Sequence, residues 1–223
     1  AAGGGLTSGG PVNVSAGSVS FAGAGGLSAT DVTLTGGSIS FGGGGGLTAT
    51  GTLTVGAGTS VSTTAGANIS AGTVSINGGT IAFGGNGSLT SGGAVSLTGG
   101  GSLSFAGNGD VNAQSFSLDS TSSFTVNFAT GANPTNVNLT GGSAALNGTV
   151  NITGTPNQNS FNLVTGAGSV DITGVTLGTA TTGFAFGFRT SGTTTIILDV
   201  TANPIAPDGT GSGSGSHRCS PTP

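Results

Sequence analysis

Residues that could carry out catalysis are few in this chain, and they lie far apart. The six acidic residues are all aspartate, Lys and Glu are missing, and the only other ionisable side chains of note are two arginines and one histidine. Enzymes need a nucleophile with a base within hydrogen-bond reach, or clustered carboxylates that hold a metal ion. The acids are Asp31, Asp110, Asp119, Asp171, Asp199 and Asp208. Even Asp110 and Asp119, which could lie on adjacent turns of a repeat, are better explained as solvated surface residues. The sequence therefore predicts a protein that is not an enzyme.

The only His and the only Cys stand together near the C-terminus, at His217 and Cys219. A single Cys excludes an internal disulfide framework. The pair could share a metal ion between subunits, but two ligands make an incomplete site. Cys219 is also a candidate for a disulfide to a second copy, but a disordered tail is the preferred interpretation of both residues.

One segment resembles a calcium-binding repeat. Gly107 to Asp110, read Gly-Asn-Gly-Asp, matches half of a GGxGxD nonapeptide. Equivalent glycine-rich segments earlier in the chain lack the aspartate, whereas calcium sites need several oxygens with some of them charged. A corner turn is the better interpretation, and no cofactor is predicted.

The composition is far from that of an ordinary globular protein. Glycine supplies 49 of the 223 residues, charged residues only 4%, and the formal net charge is −4. That charge gives no support for nucleic-acid binding. The longest branched apolar run, Ile196 to Leu198, is far too short to cross a membrane as a helix. Because the apolar residues recur in register, the chain is predicted to be ordered despite its low complexity.

The repeating unit is clearest from Gly25 to Gly43, GGLSATDVTLTGGSISFGG. It contains three short apolar segments in which apolar residues alternate with Ser or Thr, as in a strand with one buried face. A Gly-Gly pair allows a sharp turn between the second and third segments. One copy cannot bury its own apolar face, but stacked copies can.

Copies of this unit recur about every 20–22 residues through the first half of the chain. The first apolar segment begins at Leu6, Leu27, Leu47, Ile69, Leu89 and Val111. This period predicts an all-β fold, a three-sided parallel β-helix with one copy per turn. The alternative is an antiparallel barrel or sandwich with hairpin turns at Asn77-Gly78, Asn86-Gly87 and Asn108-Gly109. Three unequal segments per repeat favour the β-helix.

Regular turns of a solenoid place equivalent residues of successive repeats above one another along the axis. Phe21, Phe41, Phe83 and Phe105 are predicted to stack inside the solenoid, interrupted at Thr63. The residues between the apolar ones should point outward and form rows of hydroxyl and amide groups, for example Thr7, Ser28, Thr48, Ser70 and Thr90 along the first segment.

The chain divides into four parts. Regular solenoid turns are expected over 1–128, less regular turns over 129–178, a capping hairpin over 179–203, and a Gly/Ser/Pro linker and tail over 204–223. Ser191-Gly192 is the expected hairpin turn. Phe184, Phe186 and Phe188 would cover the last open turn, as terminal repeats of solenoids usually must.

The repeats GGLSATDVTLTGGSISFGG, GGLTATGTLTVGAGTSV and NGSLTSGGAVSLTGGGSLSF resemble the β-helical passengers of bacterial autotransporters and filamentous-haemagglutinin-type adhesins. The segment FGFRTSGTTTIILDVTANP is similar to the closing portion of such surface proteins. The resemblance spans about residues 3–204. It implies a right-handed parallel β-helix, export to the bacterial cell surface, and a role in adhesion or surface structure.

Three functions are compatible with these features. The first is a structural subunit of an extracellular fibre, because an uncapped first turn invites a second copy to stack on it. The residues at these assembly ends would be Leu6 and Val12 at one end and Phe184, Phe186 and Phe188 at the other. The second is an adhesin that binds a host or cell-surface ligand through the loop Thr155 to Asn159. The third is an ice- or crystal-binding surface made of the hydroxyl rows. The mixture of Ser, Asn and Ala in those rows is an argument against it.

Overall fold

The structure is a computed structural model, and it describes residues 3–128 and 134–202. In this part of the chain there are strands and no helix, and the strands coil around a common axis. We call each turn around the axis a winding, and the three rows of stacked strands the first, second and third faces. Strands of successive windings pair in parallel on all three faces. The predicted parallel β-helix is therefore confirmed, and the antiparallel alternative is excluded.

The strands of the first six windings are as follows. Windings one and two have one strand on each face: β1 (Leu6–Thr7), β2 (Val12–Val14), β3 (Ser18–Phe21), β4 (Leu27–Ala29), β5 (Val32–Leu34) and β6 (Ser38–Phe41). In windings three and four a long strand crosses from the first face to the second: β7 (Leu47–Val55), β8 (Ser60–Thr63), β9 (Ile69–Asn77) and β10 (Thr80–Phe83). Windings five and six contain β11 (Leu89–Ser91), β12 (Ala94–Thr98), β13 (Ser102–Phe105), β14 (Val111–Ala113), β15 (Ser115–Leu118) and β16 (Ser123–Phe128).

Two longer windings and a hairpin follow. The windings contain β17 (Val137–Leu139), β18 (Ser143–Leu146), β19 (Thr149–Gly154), β20 (Ser160–Thr165), β21 (Ser169–Asp171) and β22 (Thr176–Leu177). The hairpin is formed by β23 (Phe184–Ser191) and β24 (Thr195–Ala202). The third face is one 8-stranded sheet, whereas β7 and β9 join the first and second faces into one 16-stranded sheet that also includes the hairpin.

The register of the first face follows the spacing in the sequence. Leu6 lies opposite Leu27, which lies opposite Leu47 in the next winding. The step is 21 residues between Leu6 and Leu27, and it grows to 27 between Val137 and Val164. The longer steps place extra residues in corner loops, which is why the repeat is harder to follow in the second half of the sequence.

The interior holds the phenylalanines as two stacked pairs. The ring centroids of Phe21 and Phe41 are 5.1 Å apart at an interplanar angle of 6°, and those of Phe83 and Phe105 are 4.7 Å apart at 1°. Each pair contributes about 0.5–1.5 kcal/mol beyond the burial of its area. Thr63 lies between the pairs in register with both Phe41 and Phe83. It is 1% exposed, and its hydroxyl has no hydrogen-bond partner among the described residues.

The stacked rings constrain a residue four positions later. A Cβ added to Gly87 would meet the backbone carbonyl oxygen of Ala67 first, and it would also lie 2.9 Å from Cδ1 of Phe83, closer than such atoms approach in real proteins. In the winding where Thr63 replaces phenylalanine, the equivalent residue is Ala67, which is fully buried. The smaller side chain at one position thus accompanies a larger one at the other, because both occupy the same part of the core.

The hairpin closes the first face, but the strand that lies against the last winding is not β23, whose phenylalanines were expected to cover it. The strand next to the last winding is β24, which pairs antiparallel with β20, and β23 lies outside it. Side chains of β24 therefore provide the buried contacts: Ile196, Leu198 and Val200. The three phenylalanines of β23 are half-buried, and the ring of Phe186 lies 6.5 Å from that of Phe128.

Candidate functional surfaces

The two ends of the solenoid expose apolar side chains. Leu6 is 44% exposed on the first winding, and Leu177 is 42% exposed on the last. Among residues 3–128 and 134–202 these are the only large hydrophobic side chains that count as exposed. Apolar exposure in this repeat structure is therefore concentrated where the stack of windings stops.

The edge of the first winding also presents unpaired backbone groups. The amide of Val12 donates to Asp31 O, and the carbonyl of Val14 accepts from the amide of Thr35, so both residues face the second winding. Because neighbouring residues in a parallel strand direct their backbone groups to opposite sides, Asn13 directs its groups to the free edge. No strand of the described chain pairs with β2 or β3 on that side.

The last winding is open on two faces only. In the described part of the chain β21 pairs with β18 alone and β22 with β19 alone. From β21 to β22, on the open faces of this winding, three apolar residues are only half-buried: Val170, Ile172 and Val175. On the first face β24 occupies the position that a further winding would take. The two ends of the solenoid are therefore unequal.

The outer surface of the third face carries a continuous row of hydroxyl groups. Each of these residues lies in register with the next, and every one is Ser or Thr: Ser18, Ser38, Ser60, Thr80, Ser102, Ser123, Thr149 and Thr176. Some neighbours along the row are within hydrogen-bond distance, as at Ser123 Oγ to Ser102 Oγ, 3.2 Å. The outward rows named from the sequence did not include this one. The signal was present, since a Ser or Thr directly precedes the apolar residue of each third segment.

The aspartates serve mainly as local hydrogen-bond acceptors. Asp31 Oδ1 accepts from the amide of Thr52 at 2.7 Å, which ties one winding to the next. Asp199 pairs with Arg189 at 2.6 Å on the exposed surface of the hairpin. Within the described ranges no three His, Cys, Asp or Glu residues come together as a metal site would require. Asp208, His217 and Cys219 lie outside the described residues.

Asp119 is the most strongly stabilised carboxylate. Its Oδ2 accepts from the amide of Gly99, and its Oδ1 from the amide and hydroxyl of Thr121. Desolvation raises the pKa of Asp119, but the nearby Ser122 hydroxyl and the hydrogen bonds from Gly99 and Thr121 outweigh it and lower the pKa to about 2. A carboxylate with this pKa holds a turn in place and is a poor proton acceptor near neutral pH.

The calcium-like segment forms a corner between the third and first faces. Asp110 Oδ1 accepts from the amide of Asn136 in the next winding at 3.1 Å. Asn86 Oδ1 accepts in the same way from the amide of Asn108 at 3.0 Å. The carboxylate thus acts like the carboxamide one winding earlier, as a link between windings. This agrees with the corner interpretation of the sequence.

The loop predicted for an adhesin is anchored beside the hairpin. Pro156 is buried, and the carbonyl of Asn159 accepts from the amide of Val200 at 2.8 Å. A cleft of about 240 Å³ opens next to this loop. We call it the carboxamide cleft, and it is lined by Pro134, Asn136, Gln158, Ser160, Phe161 and Asn162.

Comparisons with known proteins add no family. No protein-family model matches the chain, and no curated protein matches it in sequence. Over the described ranges no helix is long and apolar enough to cross a membrane. What the structure establishes is the architecture, a β-solenoid built from repeats.

Proposed function

We propose that this chain is a non-enzymatic structural subunit of an extracellular fibre on a bacterial surface, assembled end to end from copies of itself. The observation that supports this most directly is the position of the two exposed leucines, Leu6 and Leu177, at opposite ends of the solenoid. Both ends also present strand edges that no other strand of the described chain covers. Such edges are ready to pair with another chain.

In the proposed contact, β2 and β3 of one copy add to β21 and β22 of the next. Strand direction is preserved across this junction, so the parallel pairing seen between windings continues between copies. The patches on the two partners differ, and a contact of that kind does not close on itself unless a rotation forms a ring. Repetition of the contact therefore gives a filament.

The low charge of the chain suits this role. With 4% charged residues and a net charge of −4, little electrostatic repulsion opposes the stacking of copies. Only modest contributions to the free energy stabilise the contact. They are the burial of a few half-exposed apolar side chains and the new backbone hydrogen bonds at the strand edges. We therefore expect assembly to depend steeply on protein concentration.

The experiment compares purified protein with end-blocking variants. Sedimentation velocity and negative-stain electron microscopy over a range of concentrations should show filaments of the unaltered chain. Val12→Lys in β2 and Leu177→Lys in β22 each place a charge at one of the two edges that pair in this contact and should abolish filaments. Thr48→Lys adds the same charge at an exposed position of a middle winding and should not. A chain that stays monomeric at every concentration, or end variants that polymerise like Thr48→Lys, would contradict the proposal.

A second candidate function is binding to a crystalline surface such as ice. The specific observation in its favour is the unbroken row of hydroxyls on the third face, which repeats at the strand spacing of about 4.8 Å. A flat array with a fixed repeat can match a lattice, whereas the rows on the other two faces include Asn and Ala.

A further inference from the structure

We propose that the carboxamide cleft binds a neutral glycan. The inference goes beyond assembly, because the cleft lies beside the Thr155-to-Asn159 loop and uses none of the strand edges invoked for the fibre. It rests on three features of the cleft: carboxamides without protein partners, a rim held in place by backbone hydrogen bonds, and the absence of charge among the lining residues.

The carboxamides of the cleft differ from those that join one winding to the next. Asn86 Oδ1, Asn147 Oδ1 and Asn151 Oδ1 each accept a hydrogen bond from a backbone amide of the next winding. The side chains that line the cleft, Asn136, Gln158 and Asn162, make no side-chain hydrogen bond to the described part of the chain. The N–H donors and carbonyl acceptors of these three side chains are therefore unused within the described part of the chain, and they converge on one cleft.

The backbone that carries these side chains is held in place by hydrogen bonds. The amide of Asn136 donates to Asp110 Oδ1, and its carbonyl accepts from the amide of Val111 at 2.9 Å. Asn162 belongs to β20, which β24 covers. The loop that carries Gln158 is anchored through Asn159, as described above. A site with polar groups on rigid supports loses little conformational entropy when it binds a ligand.

The chemistry of the cleft selects the class of ligand. Each carboxamide offers two N–H donors and a carbonyl acceptor, a combination that matches neighbouring sugar hydroxyls, which both donate and accept. Among the described residues that line the cleft there is no Asp, Glu, Lys, Arg or His, so an acidic or cationic ligand would find no ionic partner there. Phe161 is 6% exposed and packs on Phe128 with centroids 4.6 Å apart, which gives the cleft an apolar floor for the C–H face of a sugar.

The size of the cleft limits the contact. Its volume of about 240 Å³ is below the roughly 300–1,000 Å³ of pockets that hold drug-sized ligands. We therefore expect one sugar ring of a longer chain to occupy it, with binding in the millimolar range.

The test uses a panel of neutral tetrasaccharides, namely those of cellulose, starch, xylan, mannan and chitin, with polygalacturonate as an acidic comparison. Binding is measured by saturation-transfer NMR and by titration up to about 10 mM. We expect at least one neutral member to bind. Gln158→Ala combined with Asn162→Ala should weaken that binding at least about tenfold, because two hydrogen-bonding groups are removed. Gln114→Ala, a change of the same chemistry at another exposed corner, should leave it unchanged.

The outcomes separate this inference from the fibre proposal. Binding of no neutral glycan, binding of polygalacturonate alone, or equal binding by the cleft variant would each overturn the inference. An unfolding midpoint of the variant equal to that of the unaltered chain shows that any loss is local. Filament formation by the cleft variant should match the unaltered protein, so that failure to bind glycan and failure to assemble are read from different measurements.

Discussion

The coupling between a stacked phenylalanine and the glycine four residues later offers a sharp test of the core. A Cβ on Gly87 would lie 2.9 Å from Cδ1 of Phe83, and one on Gly109 would lie 2.8 Å from Cδ1 of Phe105, in addition to closer contacts with the backbone of the preceding winding. The winding with Thr63 and Ala67 lacks both the ring and the glycine. Thr63→Phe alone should therefore clash with Ala67, whereas Thr63→Phe combined with Ala67→Gly should join the two phenylalanine pairs into one stack.

The magnitudes follow from each change. Overpacking in Thr63→Phe should cost about 1–3 kcal/mol. Ala67→Gly alone should cost on the order of 1 kcal/mol, through the lost methyl group and the flexibility of glycine in the unfolded chain. In the double variant the new ring gains two stacking neighbours at about 0.5–1.5 kcal/mol each. The buried hydroxyl of Thr63 is also removed, which had cost about 1–3 kcal/mol without a partner. The double variant should thus be at least as stable as the original.

The assay is a double-mutant cycle in urea, with unfolding followed by far-ultraviolet circular dichroism. We expect a favourable coupling energy of about 2 kcal/mol or more between positions 63 and 67. Thr90→Phe, on the exposed outer side of the first face, is the control, and it should change stability by less than about 0.5 kcal/mol. If the two single effects simply add within about 0.5 kcal/mol, the proposed competition for space is refuted.

Two further predictions concern pH and lattice binding. Because the folded pKa of Asp119 is about 2, below its ordinary 3.8, its contribution to stability is complete above about pH 4 and is lost as the pH falls towards 2. Urea midpoints measured at pH 6, 4 and 2.5 should therefore fall less for Asp119→Asn than for the unaltered chain, and equal slopes would contradict this. If the third face binds ice, the protein should show thermal hysteresis that Thr80→Lys reduces and Thr90→Lys does not. A solution with no hysteresis would remove that candidate.

The first six windings could be predicted well because residues one repeat apart in the sequence are also the residues that stack on each other in the structure. Leu27 and Leu47 are separated in sequence by one winding, and they lie opposite each other in the structure. Near the C-terminus this relation weakens, since Val164 rather than Phe161 lies opposite Val137 and the register shifts between Asn162 and Val164. A shift of that kind depends on the antiparallel strand packed against it, which a periodic pattern does not reveal.

The candidate sites were harder to predict than the fold. The hydrogen bonds of Asp31 and Asn86 depend on which backbone amide of the next winding lies within hydrogen-bond distance. The sequence of one repeat does not show which amide that is. The carboxamide cleft brings Asn136 together with Gln158 from the following winding. The exposed leucines differ in this respect, because Leu6 was predicted at an uncovered end of the stack whereas Leu177 follows the sequence pattern of a buried core residue. Only their place at the ends of the stack leaves them uncovered.

The hairpin on the first face has a mechanical consequence for any fibre. Within one chain, neighbouring windings are joined along three faces. A junction between copies would be joined along the second and third faces only, because β24 occupies the first face. A pulled fibre should therefore part at its junctions before any solenoid unravels. The fragments would be whole subunits with intact ends, able to rejoin once the load is released.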